Sequence, residues 1–167
     1  MTRDEIREIA SIVGDDKSYR HFVHRINKEF EISGEERNSK VYVRYVRNRD
    51  DENVGFAVIG FSPAKMAMWE KTFREEGWVK KGFSIDKDRA FELMYMYVRP
   101  EYRKKGYADA MFEDVVSFSE EQGAAGIYAY VSDTNDAALK FYLKKGAATI
   151  QDFSDDDTTT AFVHWPI

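Results

Sequence analysis

Apolar residues recur every three or four positions near the start of the chain and every second position soon after. Arg3 to Val13 places Ile6, Ile9, Ala10 and Val13 at helical spacing, with Gly14 as the stop. Lys17 to Ile32 repeats the pattern with Tyr19, Phe22, Val23, Ile26 and Phe30, so two amphipathic helices precede the first strand. Val41 to Arg47 alternates branched or aromatic residues with polar ones, Asn48 to Asn53 is a polar turn, and Val54 to Phe61 is a second apolar run; together they predict a hairpin. Pro63 then suits the first turn of a helix over Ala64 to Glu76, which carries Met66, Ala67, Trp69 and Phe73 before Gly77 and Trp78.

The stretch Glu92 to Ala108 reads as an apolar, aromatic strand that stops at Pro100, a short basic loop, and a helix opening near Gly106. That helix runs to Gln122, a strand follows over Gly126 to Val131, and a further helix lies within Asn135 to Gly146. Ala147 to Phe153 and Thr158 to Trp165 form a last antiparallel pair around the acidic turn Ser154 to Asp157. The basic turn carries the first chemistry. A helix N-terminus leaves N–H groups without intrahelical partners and bears partial positive charge, so it can hold a phosphate. Gly106 and Ala108 allow close approach to the backbone, and Arg103, Lys104 and Lys105 add charge. Taken alone, such a turn is as readily a solvated connector.

A length of 167 residues suits a single domain spanning 1–167. The net charge of −5 argues against nucleic acid as a partner, since phosphate neutralisation needs a concentrated basic surface. No cysteine occurs, which excludes disulfides, thiolate metal sites and a cysteine nucleophile. His21 and His24 share a helix face but lack the third ligand a metal needs, so no metal is expected. The polar N-terminus and the absence of a long apolar run predict a cytoplasmic protein with no membrane partner.

Two ordered motifs narrow the function. Arg103-Lys104-Lys105-Gly106-Tyr107-Ala108 fits the pattern Arg/Gln-x-x-Gly-x-Gly/Ala, and Asn135 to Gly146, through Ala138 and Tyr142, fits Asn-x-x-Ala-x-x-x-Tyr-x-x-x-Gly. In this order they resemble the GNAT superfamily of acetyl-CoA-dependent N-acetyltransferases, closely over Glu92 to Ala148 and in architecture elsewhere. The resemblance implies an α/β (α+β) GNAT fold: a central mixed, mostly antiparallel sheet with splayed central strands, flanked by helices. It implies acetyl-CoA as cosubstrate, held by backbone groups of Met96, Tyr97, Val98 and Val131, by Arg103, Lys104, Lys105, Gly106, Tyr107 and Ala108, and by Asn135 and Tyr142. Residues 63–89 depart from the simplest family pattern as an extra helical insertion. They either cap an open sheet edge or form a lid or wall for the acceptor.

Acetyl transfer to an amine needs a neutral amine, charge stabilisation at the thioester oxygen, and a proton for the departing thiolate. The family resemblance assigns the acid role to Tyr142, and a phenol of ordinary pKa, about 10, is protonated at pH 7. Asn135 and Tyr142 are seven apart, about two turns, and so project from nearly one helix face. Glu92 lies fourteen residues before Gly106, where the histone acetyltransferase branch carries its catalytic carboxylate, and is the candidate base. Its six steps to Val98 span about 20 Å, the reach of an extended pantetheine arm. As an isolated acid among apolar neighbours Glu92 would have its pKa raised toward a useful value; alternatively it merely starts the strand. Tyr95, Tyr97, Trp69 and Trp78 are either core or a stacking surface for an apolar or cationic acceptor. The acceptor is an amine of a small molecule or a protein. Alternatives are transfer of a longer acyl group and a CoA-binding sensor without turnover. The last hairpin offers a surface for a homodimer.

Overall fold

The computed structural model describes residues 1–17, 19–32, 38–133 and 136–167. Helix α1 (Arg3–Val13) starts at a reciprocal cap: the Glu5 amide donates to the Thr2 hydroxyl at 3.2 Å, and the Glu5 carboxylate accepts from the Thr2 amide. It ends at Gly14, whose φ of +53° suits a residue without Cβ. Helix α2 (Arg20–Ile32) starts three residues later than its apolar pattern, because the Asp16 carbonyl accepts from the amides of Tyr19 and Arg20 and forms a separate turn first. The remaining elements are β1 (Lys40–Arg47), β2 (Asn53–Phe61), α3 (Pro63–Glu75), β3 (Ala90–Val98), a 3-10 turn (Pro100–Tyr102), α4 (Tyr107–Glu121), β4 (Gly126–Asp133), α5 (Ala137–Lys144), β5 (Ala148–Asp152) and β6 (Thr159–Pro166).

Among the described residues, six strands make one mixed sheet in the order β1-β2-β3-β4-β6-β5. β1–β2, β4–β6 and β5–β6 are antiparallel, whereas β3 and β4 run parallel through Ala90–Gly126, Phe91–Ile127 and Glu92–Tyr128. The chain divides into two compact units, Met1–Phe61 with Met94–Phe118, and Ser62–Leu93 with Ser119–Ile167.

In the first unit α1 and α2 bury Ile9, Ile12, Val13 and Ile26 against Val41, Phe56, Val58, Tyr95 and Tyr97. The other sheet face carries the start of α4. Arg44 on β1 grips Asp114 with both nitrogens at 2.7 Å, and Tyr42 packs edge-on against Phe118. Gly55 on β2 lets the neighbouring strand β3 approach closely: a Cβ there would lie 2.6 Å from the Tyr97 carbonyl oxygen.

In the second unit strand alternation sorts the faces. Tyr128 and Tyr130 of β4 pair with His164 and Phe162 of β6 on one face; Ile127, Ala129 and Val131 pair with Trp165, Val163 and Ala161 on the other. The insertion lies flat on the first face. Met66, Trp69 and Phe73 of α3, with Ile85 beyond it, pack on Ala90, Tyr128 and Ile150, and Trp78, Phe83 and Phe162 complete the cluster. The insertion is therefore a layer on a sheet face that reaches the edge strand β5 through Ile150, its apolar stripe matched to side chains that project from the sheet. Trp69 and Trp78 belong to this core, as Tyr95 and Tyr97 belong to the first unit's core.

His164 stacks on Tyr128 at 5.6 Å with 17° between the rings, and burial lowers its pKa. The unfolded chain binds the proton near pH 6.5, before the folded one does, so this contribution is complete above that pH and declines as pH falls through it. Between about pH 7.5 and about pH 5.5 the urea midpoint of the wild type is expected to drop further than that of His164→Phe, which keeps a ring and cannot titrate. Equal drops would show that His164 contributes nothing to acid sensitivity.

Candidate active site

The basic turn follows β3 directly. After the 3-10 turn the backbone enters the left-handed region twice, at Lys104 (φ +59°) and Gly106 (φ +86°), and α4 then begins at Tyr107. The first intrahelical bond here runs from the Ala110 amide to the Gly106 carbonyl at 3.0 Å. The amides at the head of α4 are thus those a helix start leaves for a ligand. Among the described residues, and apart from its own chain neighbours, nothing lies within 4 Å of where a Gly106 Cβ would stand, so the turn presents open backbone. These features fit a phosphate-bearing cosubstrate.

The three cations of the turn are not equivalent. The Arg103 side chain folds back: Nε donates to the Val98 carbonyl at 2.8 Å, one terminal nitrogen is 3.5 Å from Asp16, and the guanidinium lies over the Tyr97 ring at 5.5 Å. The Tyr97 hydroxyl donates to the same Asp16 at 2.7 Å, and burial followed by that bond pushes its pKa up. Arg103 therefore ties the turn to the segment after α1. Lys105 donates to the Glu101 carbonyl at 2.8 Å and covers Tyr102, whereas Lys104 is exposed on the left-handed backbone. The Met96 carbonyl accepts from the Tyr19 hydroxyl at 3.4 Å. Tyr107 and Ala108 are half-buried at the start of α4. Asn135 lies outside the described residues.

In the second unit Glu92 is 7% exposed and sits on the face covered by α3. It is not an isolated acid. Lys65 Nζ lies 2.7 Å from Glu92 Oε2 and 2.9 Å from Oε1, and also 5.5 Å from the centre of the Trp69 ring. Lys65 is fixed by the start of α3, where the Ser62 hydroxyl accepts from its amide at 3.3 Å and Pro63 occupies the first turn. The expectation of an isolated acid among apolar neighbours is thereby corrected, since a cation lies within 3 Å of the carboxylate.

Tyr142 lies on the opposite face. It is buried at 8% exposure and meets Trp165 edge-on at 5.1 Å and 89°. Trp165 and Val131 both project from that face. Glu92 and Tyr142 thus occupy opposite sides of the second unit's sheet, one beneath α3 and one on α5.

Sequence reasoning missed Lys65 and Asp16. Lys65 shows only its four-residue spacing from Trp69, which says nothing of Glu92, 27 residues away. Asp16 sits in an acidic pair after Gly14 without any periodic signal.

A domain model for the acetyltransferase (GNAT) family matches residues 5–147, so the chain belongs to that family. Its members transfer an acyl group from CoA, and acetyl-CoA is the cosubstrate. A putative GNAT acetyltransferase from Desulfovibrio desulfuricans is similar in fold, with a TM-score of 0.63, 13% identity, and coverage of 99% of this chain and 94% of its own. The paia N-acetyltransferase of Thermoplasma acidophilum, solved in complex with coenzyme A, has a TM-score of 0.61, 14% identity and coverage of 100% and 96%. An acetyltransferase from Bacillus cereus has a TM-score of 0.56, 15% identity and coverage of 100% and 94%. No curated protein matches the chain. Among the described residues no helix is long and apolar enough to cross a membrane.

Proposed function

We propose that this single domain is an N-acetyltransferase that moves the acetyl group of acetyl-CoA to a primary amine of a small molecule or protein. The observation that carries the reading is the buried Glu92 carboxylate holding a primary ammonium at 2.7 Å, the contact a general base must make with an acceptor. The thioester supplies an activated acyl carbon. Glu92 removes a proton from the acceptor ammonium, and Tyr142 holds the proton destined for sulfur.

The amides of Gly106, Tyr107 and Ala108, with Lys104 and Lys105, would hold the phosphates, and Arg103 would brace the turn. Backbone groups of Met96, Tyr97, Val98 and Val131 would hold the arm, with Asn135. Gly106→Val separates ligand from fold. A side chain at φ +86° costs on the order of 1–2 kcal/mol, with nothing nearby to clash. CoA affinity is expected to fall by more than about tenfold while the melting midpoint drops by about 2–8 °C and the chain stays folded at the assay temperature. Parallel loss of both would remove the ligand role.

The test of the whole reading is calorimetric titration with acetyl-CoA and CoA, beside thiol release over polyamines, amino acids, aminoglycosides and lysine peptides. Tight binding with turnover on one amine class is expected. Binding without turnover on any amine would favour the sensor, faster release from a longer acyl-CoA would move the donor assignment, and no binding would overturn the proposal. The same reading places the protein in the cytoplasm as a homodimer joined through β5 and β6; a monomer mass at every concentration would dispose of the dimer.

A further inference from the structure

We propose that Lys65 is itself an acetyl acceptor, so that the protein supplied with acetyl-CoA transfers one acetyl group to its own Lys65 Nζ. The inference rests on the reading of Glu92 as base. A general base acts on a proton within hydrogen-bond reach, about 2.6–3.2 Å. Lys65 Nζ meets that condition at both carboxylate oxygens, at 2.7 and 2.9 Å. It is a primary amine, the chemical class the reaction consumes, and it stands where an external acceptor would have to stand. Lys71 and Lys140 also pair with carboxylates, but with Glu75 and Asp136 on the open surface of their own helices. Lys65 faces a carboxylate only 10% exposed, while its own side chain is 31% exposed and so not sealed from a ligand.

The step balances without any further reactant. The Lys65 ammonium gives one proton to Glu92, and the Nζ lone pair forms a bond to the acyl carbon as the carbon–sulfur bond breaks with its electrons leaving on sulfur. The second Nζ proton is lost from the nascent amide, one proton ends on the CoA thiol, and the other passes from Glu92 to solvent. The products are a neutral Lys65 acetamide and CoA. Acetylation deletes the cation beside Glu92. An external ammonium then meets no competing charge at that position, and turnover begins only after this first transfer.

The experiment incubates the purified full chain with acetyl-CoA and no added amine, then maps acetylation by peptide mass spectrometry over time. Expected is one acetyl group on Lys65, at a rate independent of protein concentration, absent in Glu92→Gln and in Lys65→Arg. In the thiol-release assay the wild type shows a lag that Lys65→Gln, neutral from the outset, lacks. All three variants are first compared with wild type by melting midpoint; the confinement of label to Lys65 and its concentration dependence need only the unaltered chain and decide the matter even if a variant fails to fold. Label spread over Lys71 and Lys140 with Lys65 unmodified, equal Lys65 label in Glu92→Gln, or a rate that rises with protein concentration would each overturn the proposal. Turnover of an added amine with Lys65 unmodified removes self-transfer and leaves the enzyme reading intact; failure to bind acetyl-CoA removes both.

Discussion

On the proposal that Tyr142 is the acid, a Tyr142→Phe enzyme is expected to keep binding acetyl-CoA and to turn over on the order of 10²–10⁴ times more slowly, the usual contribution of a positioned acid. The two effects separate because the ring and the hydroxyl have different work. The ring fills the space beside Trp165 at 5.1 Å, and phenylalanine keeps that contact. Only the proton is lost. Tyr142→Ala removes both and costs about 3–5 kcal/mol of stability besides, as large aromatic truncations do. The rate loss should be greatest for donors whose thiol leaves poorly and smallest for an activated thioester with an acidic leaving thiol. A Phe variant with an undiminished rate would make Tyr142 a packing residue only, and another proton source would have to be found.

The second large effect concerns Gly55. Its missing Cβ makes room for the Tyr97 carbonyl oxygen at 2.6 Å, with Val46 Cγ1 at 2.9 Å and Val98 Cγ2 at 3.1 Å. The nearest obstacle is backbone, which cannot turn aside as a long side chain would. Gly55→Ala therefore has to displace the end of β3, at a cost of about 3 kcal/mol or more, the upper range for overpacking. The same strand end leads into the basic turn through Arg99, whose amide donates to the Val54 carbonyl at 2.9 Å. Acetyl-CoA affinity is expected to fall with stability in this variant, unlike Gly106→Val. Denaturation midpoints beside calorimetric titration test the pair; unchanged stability in Gly55→Ala would mean that β2 and β3 adjust more freely than their spacing implies.

Elements whose causes are local were legible in the sequence. Gly14 as the stop of α1 and Pro63 in the first turn of α3 were read there, whereas the Thr2–Glu5 and Ser62 caps that start these helices emerged only with the structure. The spacing of Met66, Trp69 and Phe73 announced an apolar stripe, but a stripe looks alike whether it meets a sheet face, an edge or a ligand. Only the register of β4 and β6 shows which side chains it meets. The site divides in the same way. The turn at Gly106 is set by backbone conformation and was readable from glycine and its neighbours. The partners of Arg103 and Glu92 come from Asp16 and Lys65, distant in the chain, and long charged side chains choose among partners only after the backbone has brought them together.

The flat seating of α3 bears on any attempt to engineer this scaffold. Trimming residues 63–89 to the short connection of simpler relatives would strip the covering from Tyr128, Ile150 and Phe162 at once. Those side chains would form a contiguous oily patch, the kind of surface through which proteins self-associate. Side chains along α3 are therefore better exchanged than the helix deleted: the element that carries Lys65 beside Glu92 also covers this apolar face.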